Sequence, residues 1–475
     1  MDIGWKRLIH PTTGALAAFA FHFLLFQLTE SLVNDRAAEL LGAEAVNPVY
    51  AAGLFCTASG YLLFAVLSRR IGSVTLRRRI LASMGAGYLL SALWMATTMQ
   101  PLGFVVCALA GLLSAGYIGG MSHWVLASAL RGGKYTGRAA SAAIAAGIGI
   151  QYLVQNFLPT PAAWLVWLAA AVFTVVFQYR CPDGGSFSGG PPSRCGTEPR
   201  LRRRLFVLSA AVVLMSLIIS LDDTVCLTLH AQGSVNLFAL PRFFYAGSVL
   251  LAGCLADRKD RAYLPLATVC VLLISGFTFA FLNRPDTYWV NVCLLYTYSG
   301  FYVAFFTIMF LDAAPKSSCP ELWAGMGRIA RSYTLAIATV PFIHLFDAFG
   351  SLPMMVLSTF FSAGCLLLFF VFGMLSPVRT EETPSSDAGS LEEFAQKHHL
   401  SPREAEVLAA IVDNDRSIRE LAEELHISER TTYRHLTSIY EKTGASSRLG
   451  LSLIYYGKYK NEGVGRQTGE KRPPE

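Results

Sequence analysis

Long apolar stretches alternate with short polar ones from about residue 14 to residue 375, after which the pattern changes abruptly. Twelve runs stand out, near 14–33, 49–67, 80–99, 102–128, 139–158, 162–179, 205–228, 236–256, 262–282, 289–311, 327–349 and 352–375. An apolar helix needs about 20 residues to cross a bilayer, so the pattern predicts twelve membrane spans. No small-residue cleavage site follows the first run, which therefore reads as an anchor and not as a removable signal peptide. From about residue 391 to 457 the apolar positions recur at helical spacing between clear capping signals, which predicts a compact set of four helices. The fold class is all-α, a polytopic membrane helical bundle followed by a small helical domain.

Composition agrees with this division. Hydrophobic residues make up 53% of the chain and charged residues 15%, against roughly 25% charged in an average soluble domain. A disordered chain and a disulfide-stapled secreted domain are excluded. Ten cysteines all precede residue 376, form no Cys-x-x-Cys pair and fall mostly in apolar runs, as small core hydrophobes do. Cys181 and Cys195 share a polar loop, but no His flanks them, so a structural role is favoured there over a metal or redox pair. No cofactor is expected.

Charge sets the orientation. Basic side chains concentrate in alternate loops: with the N-terminus in the cytoplasm, the inside segments carry 21 Lys and Arg, from Lys6 and Arg7 through Arg202, Arg203 and Arg204 to Lys316 and Arg328, and the outside loops carry 2, Arg36 and Arg284. Both termini are then expected on the cytoplasmic side of a cytoplasmic (inner) membrane. The last hundred residues carry 14 Lys and Arg against 17 Asp and Glu, a separate water-soluble unit.

The longest internal loop, 180–204, is rich in Gly, Pro, Ser and Arg and divides the spans six and six. After the eighth span the chain reads Gly253-Cys254-Leu255-Ala256-Asp257-Arg258-Lys259-Asp260-Arg261. This resembles the Gly-x-Leu-Ala-Asp-Arg-x-Gly-Arg signature of the major facilitator superfamily, with Asp260 in place of the second Gly. The counterpart after the second span, Arg69-Arg70-Ile71-Gly72, keeps the Gly and the basic residues and lacks the Asp. The resemblance implies two six-helix bundles, 1–180 and 204–376, joined on the cytoplasmic side.

Ionisable residues within spans are expensive and point to function. Asp222 and Asp223 lie deep in the seventh run, Arg242 early in the eighth and Arg331 in the eleventh, while Glu30 and Asp347 fall near span ends. One reading is a central cavity in which Asp222 or Asp223 faces a cationic ligand or pairs with Arg242. The other places Glu30, Arg242 and Asp347 in the interface, where charge is cheap. His22, His123, His230 and His344 are further titratable positions. The aromatic cluster Tyr296, Tyr298, Phe301, Tyr302, Phe305 and Phe306 reads first as packing and second as an apolar ligand wall. Small-residue runs over 111–120 and 139–149 suit close helix packing.

After a polar linker at 377–390, Ser401-Pro402-Arg403-Glu404 and Ser417-Ile418-Arg419-Glu420 are capping boxes, and Ser428 is the N-cap of a third helix that Gly444 ends. Two helices separated by a short turn form a helix-turn-helix. Leu400-Ser401-Pro402-Arg403-Glu404, Glu420-Leu421-Ala422, Ile427-Ser428-Glu429-Arg430-Thr431, Ile439-Tyr440 and Gly444-Ala445 resemble the LuxR-type DNA-binding domain, over about 60 residues, 391–457. The resemblance implies that the third helix enters the major groove of double-stranded DNA, with Tyr433, Arg434 and Thr437 where bases are read and Arg430 and Thr431 near phosphates. Ser438 belongs to the same outward set. The domain holds 8 basic and 11 acidic residues, so non-specific attraction to DNA is weak and pairing of two domains matters more. The family implies dimer contacts on the last helix, at Leu449, Leu453 and Ile454. Residues 458–475 form a basic, disordered tail able to touch DNA or anionic lipid.

These observations point to a membrane-anchored transcriptional regulator of bacterial type, sensing a small ligand through its bundle. The alternative is a facilitator-type secondary transporter whose tail regulates expression. A plain DNA tether without sensing is a third possibility. No nucleophile, base and orienter constellation is present, so the chain does not read as an enzyme.

Overall fold

A helix forms along every one of the twelve apolar runs. The computed structural model describes residues 11–131, 133–181, 199–258, 261–372, 394–412, 418–445, 451 and 454–455. The first six membrane helices are α1 (Pro11–Leu41), α2 (Val46–Arg70), α3 (Val74–Thr97), α4 (Pro101–Leu130), α5 (Thr136–Phe157) and α6 (Thr160–Arg180). The second six are α7 (Pro199–Ala231), α8 (Pro241–Ala256), α9 (Tyr263–Leu272), α10 (Tyr288–Ala313), α11 (Pro320–Phe349) and α12 (Ser351–Val371). Ten of them, α9 taken with the turns that extend it to Leu282, are long and apolar enough to cross a bilayer. The exceptions are α5, rich in Ala and Gly, and α8, whose 16 residues span about 24 Å at 1.5 Å per residue. The chain is a multi-pass membrane protein.

Local sequence accounts for the helix ends. Pro occupies the first turn of α4, α6, α8 and α11, where its missing N–H costs nothing. Ser73 caps α3 by accepting from the Leu76 amide at 3.4 Å. The α11–α12 corner turns at Gly350, whose φ of 73° suits glycine. Beyond α9 the helix breaks into a short turn at Ser275–Thr278. There the Ser275 and Thr278 hydroxyls bond back to Leu272 and Ser275 carbonyls at 2.6 and 2.7 Å, a pattern that bends helices.

Close approach of backbones builds the core of the first half. A Cβ on Gly60 of α2 would sit 2.1 Å from the Leu113 carbonyl of α4, and one on Gly116 would sit 2.1 Å from the Thr57 carbonyl. Only glycine fits at both, so the 111–120 run is a packing surface. The two halves meet along α2 against α11 and α5 against α8.

Three sequence expectations change. Helix α7 starts at Pro199, so Arg202, Arg203 and Arg204 belong to its first turns and not to a loop. Arg328 lies inside α11, because that helix begins at Pro320; it is 6% exposed and stacks on Phe23, Phe26 and Phe306 at 4.9, 5.3 and 5.6 Å. Glu30 lies well inside α1 and not near its end, because α1 runs on to Leu41. Lys6, Arg7, Cys195, Lys259 and Asp260 lie outside the described residues.

The described residues fall into two compact units, one within Met1–Val378 and one within Arg379–Glu475. The second contains α13 (Pro402–Val412), α14 (Ile418–Glu424) and α15 (Glu429–Thr443). Their apolar stripes close on a core of Phe394, Val407, Leu408, Leu421, Leu436 and Ile439. Leu451 and Tyr455 join that core, and Ile454 packs against it. Ser417, the start of the second capping box, together with Leu449, Leu453 and the 458–475 tail, lies outside the described residues.

Candidate DNA interface and membrane cavity

The orientation of α15 is set from three sides. At its start, the Ser428 hydroxyl accepts from the Thr431 amide at 3.1 Å, and Gly444 ends the helix in the left-handed conformation with φ 71°. In the preceding turn His426 also takes positive φ, and the Ile427 amide reaches back to the Ala422 carbonyl at 2.9 Å, so α14 stops sharply. Arg403 of α13 donates to the Leu425 carbonyl at 2.9 Å, pinning that turn.

The third anchor is Glu404, which sequence spacing shows only as half of a capping box. It accepts from the Ser401 amide at 2.7 Å, while Ser401 Oγ accepts from the Glu404 amide at 3.3 Å. The same carboxylate then accepts from Ser438 Oγ and Lys442 Nζ of α15, both at 2.6 Å. Burial alone would raise the Glu404 carboxyl, but the Lys442 ammonium, the Ser438 hydroxyl and the Ser401 amide outweigh it and hold it down at about 2. This corrects the assignment of Ser438 to the outward set: its hydroxyl is turned inward onto Glu404, where a buried carboxylate needs donors.

Arg430, Tyr433, Arg434 and Thr437 remain on the exposed face of α15, with Tyr433 57% exposed. Thr432, Leu436 and Ile439 face the core. Thr431 is half-buried, and its hydroxyl contacts Ser428 Oγ at 2.7 Å. The helix thus offers a guanidinium pair, a phenol and a hydroxyl on one face, groups suited to phosphates and base edges.

In the membrane unit Asp222 and Asp223 part company. Successive residues on a helix point about 100° apart. Asp222 is fully buried and accepts from Tyr298 OH at 2.5 Å, Asn291 Nδ2 at 3.0 Å and Thr278 Oγ1 at 3.0 Å, with Cys226 Sγ at 3.6 Å. It staples α7 to α10 and to the turn after α9, and does not face the cavity. Asp223 does. It shares a cavity of about 60 Å³ between the halves with Glu30, Arg242 and Arg331, and it accepts from Tyr50 OH at 2.9 Å. Arg242 does not pair with either aspartate. It donates to Gln27 Oε1 at 3.2 Å and lies over the Tyr296 ring at 4.7 Å. It is 4% exposed, buried among the helices, whereas Asp347 and His344 are exposed. Tyr296 and Tyr302 of the aromatic cluster line this cavity; Tyr298, Phe305 and Phe306 pack in the interior.

A second buried cluster joins α1, α2 and α4. His22 Nε2 contacts Tyr61 OH at 3.2 Å, Tyr61 OH contacts His123 Nδ1 at 3.4 Å, and His123 Nδ1 lies 2.9 Å from the Gly119 carbonyl. His230 bonds Asp35 at 3.2 Å.

At the other end of α8 from Arg242, Asp257 accepts from the Gly137 and Arg138 amides at the start of α5, at 2.8 and 2.9 Å. Carboxylates favour a helix N-terminus. Arg261 completes the clasp by donating to Asp257 and, at 2.7 Å, to Asp312. A Cβ on Gly137 would meet the Gly253 carbonyl at 2.9 Å, so glycine is required at this seam. The signature loop of the second half therefore grips the first half.

Residues 398–454 match the luxR family of bacterial regulatory proteins. The crystal structure of the human organic anion transporter MFSD10 (TETRAN) is similar to this chain in fold. The two share 15% identity with a TM-score of 0.52, over 78% of this chain and 100% of that one. No curated protein sequence matches the chain. The chain thus carries a luxR-family domain at residues 398–454, preceded by a helical bundle that shares its fold with that transporter structure.

Proposed function

We propose that this LuxR-type domain on a facilitator-like bundle makes the chain a membrane-anchored transcriptional regulator that reads a small ligand through its bundle. The observation that carries the reading is the exposed face of α15, with Arg430, Tyr433, Arg434 and Thr437 presented together on a helix held by Glu404 and Ser428. Arg434 is assigned to a guanine edge, Tyr433 and Thr437 to neighbouring bases, and Arg430 and Thr431 to phosphates. Ser438 positions the helix. Both termini face the cytoplasm, so the domain reaches DNA from the inner membrane. Two domains pair through the segment that carries Leu449, Leu453 and Ile454, and the basic tail meets DNA or anionic lipid. The families found are typically not enzymes, and no catalytic role is assigned.

Sensing is a population shift: a ligand that favours one arrangement of the two halves changes the presentation of the DNA-binding domains. Asp223 and Arg242, which both line the cavity, are its contacts. Genome-wide crosslinking of the full-length protein to DNA tests the regulator reading. Discrete peaks are expected, and Arg434→Ala with Tyr433→Ala should lower their occupancy at least tenfold, since a bidentate base contact contributes about 1–3 kcal/mol. Peaks that persist in the double variant would place base reading elsewhere. The same cavity also suits a transporter; substrate uptake abolished by Asp223→Asn with promoter occupancy unchanged would favour that reading.

A further inference from the structure

Four ionisable side chains line one cavity without forming an ion pair with one another. Glu30 and Asp223 supply two carboxylates, Arg242 and Arg331 two guanidinium groups. Among the described residues, no ion pair within 4 Å joins any of the four. Buried charges of opposite sign normally pair, because an unpaired one forfeits hydration for nothing. Two of them are held by neutral neighbours instead: Asp223 by the Tyr50 phenol and Arg242 by the Gln27 amide and the Tyr296 ring.

That arrangement leaves bonding capacity on both signs of charge. Arg242 Nε and Arg331 Nη1 are buried donors bonded to nothing, and Asn34 Oδ1 is a buried acceptor in the same state. All three belong to side chains that line the cavity. An anion alone would satisfy the donors and leave two carboxylates without a counter-charge. A cation alone would do the reverse. The four groups sum to zero, so the cavity is balanced only by a ligand that is itself neutral and carries both charges.

We infer that the cavity binds a small zwitterion bearing a carboxylate and an ammonium group, of the amino-acid class. This rests on the ligand-sensing reading above and specifies its chemistry. The carboxylate is taken by Arg242 and Arg331, whose planar donors match its two oxygens. The ammonium goes to Asp223, Glu30 and Asn34 Oδ1, with the tyrosine faces of the wall as secondary partners. A volume of about 60 Å³ fits a compact molecule. Walls from α1, α2, α7, α8, α10 and α11 close around it, so binding ties the two halves together.

The test uses the purified full-length protein in detergent and the twenty standard amino acids, each at about 10 mM, read as a shift in Tm. At least one amino acid should raise Tm. Its decarboxylated amine and its deaminated acid should each bind at least tenfold more weakly. Asp223→Asn should weaken the amino acid at least tenfold and leave the deaminated acid unchanged, while Arg331→Gln should weaken both. The analogue series on the unaltered protein stands even if a variant fails to fold. Absence of any shift across the twenty, or an acid that binds as well as its amino acid, would overturn the assignment. Promoter occupancy with and without the binding amino acid separates the two readings. Binding without a change in occupancy would sink sensing and leave the ligand class standing; occupancy that responds to a growth condition while no amino acid binds would do the opposite.

Discussion

The membrane unit and the DNA-binding unit each contain a carboxylate that caps a helix and holds a cation, yet the two clasps sit in different mechanical settings. Glu404 caps its own helix, α13, and grips Ser438 and Lys442 of α15 within one small core. Asp257 follows α8 of the second half and caps α5 of the first, so it spans a seam between two sets of helices within a much larger unit, whose buried core runs through both. A clasp inside one core is part of a cooperative unit, whereas a clasp across a seam can open while both sides stay folded. The chemistry is shared. One fixes a helix against its neighbour in a single small core, and the other joins helices of the two halves.

The comparison breaks or sharpens under three substitutions, read by amide hydrogen exchange on the full-length protein. The largest effect belongs to Glu404→Ala, which strands the Ser401 amide, the Ser438 hydroxyl and the Lys442 ammonium together. A cost of about 3 kcal/mol is expected, with exchange rising roughly a hundredfold across α13 and α15 alike. The effect depends on pH in a set direction. The Glu404 carboxyl is depressed from 4.5 to about 2, so its contribution is complete above about pH 4.5 and fades as pH falls toward 2. After correction for intrinsic exchange rates, the gap between the unaltered protein and Glu404→Gln should therefore close over that window. A gap that widens on acidification would contradict the clasp.

Asp257→Ala comes next, at about 2 kcal/mol, because it frees two helix-terminal amides and Arg261. Exchange should rise only in the first turn of α5. Loss of protection along the whole of α5 would show that the seam is as cooperative as the small domain, and the contrast would fail. Ser438→Ala is the mildest, about 1 kcal/mol for one hydrogen bond to a charged acceptor. Its exchange should rise about fivefold around α15, and DNA occupancy should fall less than in Arg434→Ala. An equal fall would return Ser438 to the outward, DNA-facing set.

Asp222 and Asp223 show where sequence reading stops. Their depth in a span marks both as functional positions, and helical spacing already separates their directions by about 100°. Which direction holds the cavity follows from what packs on each side. Tyr298, Asn291 and Thr278 arrive at Asp222 from 56 or more residues away. Arg328 and Arg331 teach the same lesson. Both lie in one helix, yet one stacks on Phe23, Phe26 and Phe306 while the other lines the cavity.

Hydropathy of span length determined ten of the twelve helices, all but α5 and α8, because a bilayer demands about 20 apolar residues in a row whatever packs beside them. Local capping chemistry likewise determined the starts of α13 and α15, since Ser401, Glu404 and Ser428 act within three residues. The outward face of α15 followed from its 3.6-residue period, all but Ser438. Only the tertiary structure decided the inward turn of Ser438, the separation of Asp222 from Asp223, the Gln27 partner of Arg242 and the grip of Asp257 on α5. Each depends on groups distant in sequence that meet only after the helices pack, and a buried polar group takes whichever partner that packing delivers.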